Sequence, residues 1–418
     1  EAMHIIFILA LIIAPASAYA YLDPGSGAVL INLLIAGIAA AAYSLKGIFL
    51  RLFGKEAAPK TGRKVSDIAI FSEGPAYLHT FHPLIKSFIA KEIRIAYYSL
   101  DIEDPLLKLD SPFVDNRFLG FGAMGRYRAN NLREAIVLST TPNIGCPGYP
   151  IKRSPKTRRL IHVFHSLVDI SMYRKGSLDH YDAVIMPGDY HRKPIREIEA
   201  KRSLPAKDLI ALGAPYLDHL VAEKLARENI SEAKCILIAS SWGSKGLLKQ
   251  YGIRPFIRLA ERGYRVIIRP HPHSLNHEPK LIANLRKEST ANPAIECDFE
   301  LSPVKSMSRA SLMISDTSSV RFDFAFIFEK PVITLEISGT EMPGFERDDL
   351  SEIWMEKAAQ EIGKVLSKQE LKRNLEAEVE QSLKQFYAPR IRAFRDANVE
   401  NFGCAAENIV DWLNRTQT

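Results

Sequence analysis

The sequence predicts an α/β chain: two Rossmann-like domains facing each other across a cleft, preceded by an N-terminal membrane-anchoring helical segment. Three observations predict it. The chain has 418 residues, more than one typical domain. Short apolar runs of strand length alternate with stretches of helical periodicity, the signature of a parallel, doubly wound sheet. One long apolar run near the start is of a length to cross a bilayer core. The composition, 47% hydrophobic and 25% charged, is that of a globular protein and excludes a disordered or multi-spanning chain.

The anchor is assigned to residues 1–55, with hydrophobic segments 5–20 and 28–45. Ile5 to Ala14 is an unbroken apolar run with the length of a signal-peptide core, followed by the small-x-small patterns Ala16-Ser17-Ala18 and Ala18-Tyr19-Ala20. No Lys or Arg precedes it. The segment is compatible with a cleaved signal, a second helix or half of a re-entrant hairpin broken at Pro24-Gly25. Ala28 to Leu45 is interrupted by the polar residues Asn32 and Ser44 and predicts a membrane helix. Lys46 to Lys55 reads as an interfacial amphipathic stretch. Between Lys46 and Lys64 lie six basic residues and one acidic one, whereas the opposite flank carries Asp23. The positive-inside rule then predicts the body on the cytoplasmic face of the membrane.

Residues 56–66 form a polar linker with Pro59 and Gly62. The first Rossmann-like domain is expected over 67–228, with strands at Ile68–Phe71, Ile93–Tyr98, Ile136–Leu138, Leu160–Phe164, Ala183–Met186 and Leu209–Leu212. A polar helical stretch from Leu217 to Ala233 leads into the second, over 229–365. Its expected strands are Cys235–Ala239, Arg265–Arg269, Leu312–Ser315 and Val332–Leu335. C-terminal helices over 366–418 are expected to pack on the junction. One of them shows Leu371, Leu375, Val379 and Leu383 at steps of four.

Charge and cysteine usage narrow the function. The formal charge of +7 suits anionic lipid or phosphate-bearing substrates. No basic helix alternates with aromatic residues, so nucleic acid is not an expected partner. Cys146, Cys235, Cys297 and Cys404 are far apart and make neither a metal spacing nor a disulfide framework.

In doubly wound sheets, ligands bind beyond the carboxyl ends of strands, so the residues following each strand are the candidates. His165-Ser166 follows one strand. A histidine there has the basicity to take a proton from a hydroxyl nucleophile, and equally reads as a structural histidine. Arg269-Pro270-His271-Pro272-His273 follows another, with Arg269 and His271 available to a phosphate. In an extended chain His271 and His273 would point to opposite sides, and no carboxylate cluster completes a metal shell. Ser315-Asp316-Thr317-Ser318-Ser319 meets a stretch read as a helix from Val320. Hydroxyls and free backbone N–H groups at a helix start hold phosphate, though Ser, Asp and Thr also serve as ordinary caps. Ser240-Ser241-Trp242-Gly243 is a small, hydroxyl-rich loop whose aromatic would line a base pocket, or a plain turn. Residues 152–159 hold five basic side chains in eight and read as a solvated or membrane-facing loop.

Taken in order, these pieces resemble the CDP-glycerol glycerophosphotransferase family of teichoic-acid-type primases and polymerases. The resemblance runs from about Arg133 to Leu335. It is carried by the His165 segment, Gly213-Ala214-Pro215-Tyr216-Leu217-Asp218, Arg269-Pro270-His271-Pro272, and Ser315 to Ser319 continuing through Phe322-Asp323 to Lys330-Pro331-Val332-Ile333. It implies a GT-B fold and a transferase that moves glycerol phosphate, or a related polyol phosphate, from a CDP-linked donor to a hydroxyl of a membrane or lipid-linked acceptor. By that resemblance His165 and His271 are the catalytic pair. His271, Ser318 and Ser319 look by the resemblance like ligands of the donor phosphates, and from their places after strands Arg269, Asp316, Thr317, Ser241 and Trp242 are expected to join them in binding the donor phosphates and nucleotide. Neither a cofactor nor a metal is implied; the partners are membrane lipids, the CDP-alcohol donor and the acceptor. The sequence departs from the family at Phe164-His165-Ser166, where Trp-His-Gly is usual, at Tyr216, where an Arg is common, and at Ser241-Trp242-Gly243. These departures leave a GT-B glycosyltransferase using a nucleotide sugar, or a non-catalytic membrane-tethered nucleotide-binding module, as alternatives.

Overall fold

Two parallel sheets carry the body of the chain. The computed structural model describes residues 66–227, 231–337 and 346–416, and both sheets belong to one compact unit, 63–418. The anchor expected over residues 1–55 and all but the last residue of the linker lie outside the described residues. Among the described residues, no helix is long and apolar enough to cross a membrane.

The first sheet contains β1 (Ile68–Ser72), β2 (Ile95–Ser99), β3 (Val114–Phe118), β4 (Ile136–Ser139), β5 (Arg159–Val163), β6 (Ala183–Met186) and β7 (Asp208–Ala211). Its spatial order is β3-β2-β1-β4-β5-β6-β7, and each neighbouring pair runs parallel. The second contains β8 (Cys235–Ala239), β9 (Arg265–Arg269), β10 (Ile295–Cys297), β11 (Leu312–Ser315), β12 (Val332–Leu335) and β13 (Gly363–Leu366), in the order β10-β9-β8-β11-β12-β13, again parallel. Helices cover both faces of each sheet, so central strands such as Ile68–Ser72 and Cys235–Ala239 are buried at every residue. That is why they read as unbroken apolar runs.

Each sheet has one topological switch point, where the strand order reverses: between β1 and β4 in the first and between β8 and β11 in the second. A crevice opens outside the strand ends at such a point.

The helix Lys368–Lys384 lays Leu371, Leu375 and Val379 on the second sheet and starts with a capping box, Ser367 with Glu370. The last helix, Ala405–Arg415, does not stay with the second sheet. Ala405, Ala406, Ile409, Val410 and Leu413 join Ile68, Phe81 and Leu84 in the core of the first. The crossing chain runs so close that a Cβ on Gly213, where φ is +94°, would lie 2.3 Å from the Glu400 carbonyl oxygen. One on Gly188 would lie 1.7 Å from that of Asn398. Only glycine permits this contact.

Candidate functional site

Three loops meet at the carboxyl ends of the adjacent strands β9, β8 and β11. They carry the expected donor-side residues, and the structure divides those residues into scaffold and open groups.

Asp316 is scaffold. Its side chain is fully buried. The carboxylate accepts from Ser241 N at 2.8 Å, Ser241 Oγ at 2.6 Å, Leu247 N at 2.9 Å and Ser318 N at 3.0 Å. Four donors leave little capacity for a ligand. The expectation that Asp316 binds the donor is therefore corrected: it staples the β8 loop to the β11 loop. The same bond occupies the Ser241 hydroxyl. Arg269 is likewise engaged, donating to Asp298 Oδ2 at 2.7 Å and to Leu301 O at 3.0 Å, with both ionic side chains 9% exposed. It fixes the loop after β10 and does not stand free for a phosphate.

The open groups are Thr317, Ser318 and Ser319, whose hydroxyls make no hydrogen bond among the described residues and which are only half-buried. They lead into the helix Val320–Phe328, where every residue from Arg321 onward is buried. Its alternating Val320, Phe322, Phe324, Phe326 and Phe328 have strand propensity. Burial on all sides overrides it, since a helix satisfies its own backbone groups. At its amino end Ser318 N donates to Asp316, Arg321 N to Ser318 O at 3.4 Å and Phe322 N to Ser319 O at 2.9 Å, and the positive end of the helix dipole lies beside the three hydroxyls. Arg321, in its first turn, is almost fully buried. It donates to Asp316 O at 3.1 Å and Met355 O at 3.3 Å, and burial lowers its pKa to about 10.

His271 caps the short helix Pro272–His277 by accepting from His273 N at its Nδ1, 3.1 Å away. Burial, with lesser contributions from His273 and Arg269, lowers its pKa to about 4. At neutral pH the ring is uncharged and Nε2 carries the proton, so His271 offers one N–H donor. The expectation that His271 and His273 point apart is corrected. The chain turns helical at Pro272, and the two rings stack, with centroids 5.2 Å apart. Trp242, 38% exposed, stands at 5.3 Å from His273 and 5.7 Å from His277, an aromatic wall beside the open hydroxyl loop. Among the described residues, no group of His, Cys, Asp and Glu would hold a metal, and all four cysteines are free.

On the first sheet, His165 follows β5. Burial lowers its pKa to about 4, its Nδ1 has no hydrogen-bond partner among the described residues, and the Tyr77 ring meets it edge-on at 5.3 Å. Its loop is bound to the second sheet. Leu167 N donates to Tyr216 Oη at 3.0 Å, and Tyr216 Oη donates to Asp323 Oδ1 at 2.7 Å. Asp169 Oδ2 accepts from Trp354 N at 2.7 Å. Asp323 lies one turn beyond Ser319, so the loop of His165 is joined to the helix that begins at the open hydroxyls. Burial raises the Asp323 carboxyl to about 7. Tyr216, a departure from the family pattern in sequence, is this bridge; no local signal marks it, because its partners lie far along the chain.

Sequence reasoning also passed over Glu73, at the end of β1. Its carboxylate accepts from Thr141 Oγ1 at 3.0 Å and from Tyr149 Oη at 2.9 Å. Its position at a strand end was the one signal available.

No protein-family model matches the sequence, and no curated protein matches it. Solved structures do. The UDP-GlcNAc 2-epimerase of Methanocaldococcus jannaschii, in complex with UDP-GlcNAc and UDP, has a TM-score of 0.52 at 12% identity and covers 83% of this chain and 99% of its own. A putative UDP-N-acetylglucosamine 2-epimerase from Listeria monocytogenes has a TM-score of 0.53 at 14% identity, covering 84% and 97%. The fold is GT-B-like. The wall teichoic acid polymerase TagF, at 15% identity and a TM-score of 0.49, covers 91% of this chain and 97% of its own. At these identities the likeness describes architecture alone: two Rossmann-like sheets.

Proposed function

We propose that this chain is a membrane-associated transferase that moves glycerol phosphate, or a related polyol phosphate, from a CDP-linked donor to a hydroxyl of a membrane or lipid-linked acceptor. One observation carries the reading. The loops after the adjacent strands β9, β8 and β11 carry, in turn, a neutral His271, the Trp242 ring, and three unpaired hydroxyls at a helix amino end. In this reading the hydroxyls of Thr317, Ser318 and Ser319, at the positive end of the helix dipole, hold the donor pyrophosphate, and Trp242 lines the base. His165 takes the proton from the acceptor hydroxyl, whose oxygen attacks the phosphorus next to the polyol. The bond to the CMP oxygen breaks, and CMP leaves with the electron pair. His271 donates Nε2–H to the charge that develops there. The basic flank at Lys46 to Lys64 supports placement of the site beside an anionic lipid surface on the cytoplasmic face.

The test is release of CMP from CDP-glycerol together with transfer to a lipid acceptor, followed by mass spectrometry. His165→Gln is expected to lower transfer by about 10²- to 10⁴-fold, the usual worth of a positioned general base. Transfer at the wild-type rate would sink the mechanism. A second reading, a glycosyltransferase using a nucleotide sugar, is favoured by the same fold and the same phosphate-binding loop. Thermal-shift profiling of CDP-glycerol against UDP- and GDP-sugars separates the two. Binding without turnover would leave the tethered nucleotide-binding module.

A further inference from the structure

The second crevice, at the switch point between β1 and β4 of the first sheet, is also built, and with different chemistry. Glu73 follows β1 there, half-buried and without a Lys or Arg partner among the described residues. Carboxylates out of solvent are ordinarily paired with a cation. This one is held instead by two neutral hydroxyls, those of Thr141 and Tyr149. The arrangement is rigid. Thr141 is fully buried, and its carbonyl accepts from Tyr181 Oη at 2.6 Å. Beside it, the buried Thr140 Oγ1 has no partner among the described residues. Gly74, at φ +142°, turns the chain after Glu73 so tightly that a Cβ there would lie 2.8 Å from Asp101 Cβ, which places a second carboxylate nearby. Tyr77 N donates to Gly74 O at 3.2 Å, closing the turn and setting the Tyr77 ring against His165.

Glu73 and Tyr77 follow β1, Thr140, Thr141 and Tyr149 follow β4, His165 follows β5, and Asp101 follows β2, the other neighbour of β1. A carboxylate bound by neutral hydroxyls, with acceptor capacity remaining and a second acid at hand, repels phosphate and accepts O–H donors. The candidate donor loops on the second sheet have the opposite character, with hydroxyls at the positive end of a helix dipole, which favours anions. We propose that Glu73, with Thr141, Tyr149 and Tyr77, forms a subsite for an uncharged polyhydroxy group, a polyol or sugar terminus, and presents one of its hydroxyls to His165. This deepens the transferase reading by naming the chemical class of the acceptor end, and it rests on that reading for the use of the bound hydroxyl.

The test uses the full chain and two probes of one size, glycerol and glycerol 3-phosphate, followed by ligand-observed saturation-transfer NMR. Glycerol is expected to give the stronger signal on the wild type. Glu73→Gln and, separately, Tyr149→Phe are expected to reduce it at least threefold. CDP affinity within twofold of wild type serves as the control for folding. In the transfer assay the same variants are expected to raise the acceptor KM at least fivefold. No glycerol signal on the wild type, or signals from both variants within a factor of 1.5 of it, would overturn the subsite. Glu73-dependent glycerol binding without CMP release from CDP-glycerol would remove the transferase reading and leave the subsite standing. CMP release with Glu73-independent glycerol binding would do the reverse.

Discussion

Asp323 offers a measurement in which one carboxyl reports on the join between the two sheets. Its side chain is 8% exposed, it accepts from Tyr216 Oη at 2.7 Å, and burial raises its pKa from 3.8 to about 7. The sign follows from linkage. Between those two values the folded chain holds the proton and the unfolded chain has released it, so stability falls as pH rises through the window. A shift of about three units, at about 1.4 kcal/mol each, makes the total roughly 4 kcal/mol. Asp323→Asn keeps an oxygen to accept from Tyr216 and removes the titration. Against the wild type, the variant is expected to gain about 4 kcal/mol between about pH 4 and about pH 7.5, most of it above about pH 5. Urea unfolding followed by tryptophan fluorescence measures this, because Trp354 packs 5.0 Å from Phe322, beside Asp323 in sequence. Taking the difference between variant and wild type cancels the other titrating groups. A difference varying by less than about 1 kcal/mol across the window would refute the assignment of a buried, proton-holding carboxyl.

Two further outcomes are expected. Burial lowers His165 to about 4, so it is neutral at pH 7; under the proposed mechanism it would lose base function only on protonation, and the acid limb of the kcat/KM profile should fall near pH 4 rather than the 6.5 of a solvated histidine. An acid limb at 6.5 that persists in His165→Gln would exclude this residue as the group seen. Arg269→Met strands Asp298 in a site where both side chains are 9% exposed, and should destabilise the second sheet by about 3–5 kcal/mol in urea unfolding. A loss below about 1 kcal/mol would mean that Arg269 is not structural and would return it to the donor site.

Central strands were legible because burial on both faces demands apolar residues throughout. Cys235–Ala239, Arg265–Arg269, Leu312–Ser315 and Val332–Leu335 lie where their apolar runs predict. The strands that escaped notice were β3, β10 and β13, with sequences Val-Asp-Asn-Arg-Phe, Ile-Glu-Cys and Gly-Lys-Val-Leu. All three are sheet edges, paired on one side. An edge strand shows solvent part of its surface, so polar residues are tolerated and the apolar signal fades. The basic run at 152–159 is partly structural for a related reason. Arg153 and Arg159 reach Asp182 and Asp208, partners that proximity in sequence does not reveal.

The sequence by itself determined the α/β class and the polar loops that follow the strands, because both follow from local patterns: apolar runs, helix starts and the residues just after strands. It also placed a hydroxyl-rich turn before the helix at Val320. Only the tertiary structure decided which of those polar groups remain open. Asp316, Ser241 and Arg269 look like ligands in sequence and are consumed by contacts with residues 247, 298 and 316. Glu73 and Tyr216 look ordinary and stand where distant segments meet. The difference is physical. A side chain's type sets what it is able to bind, whereas burial and the partners brought to it across the fold set whether that capacity is already filled.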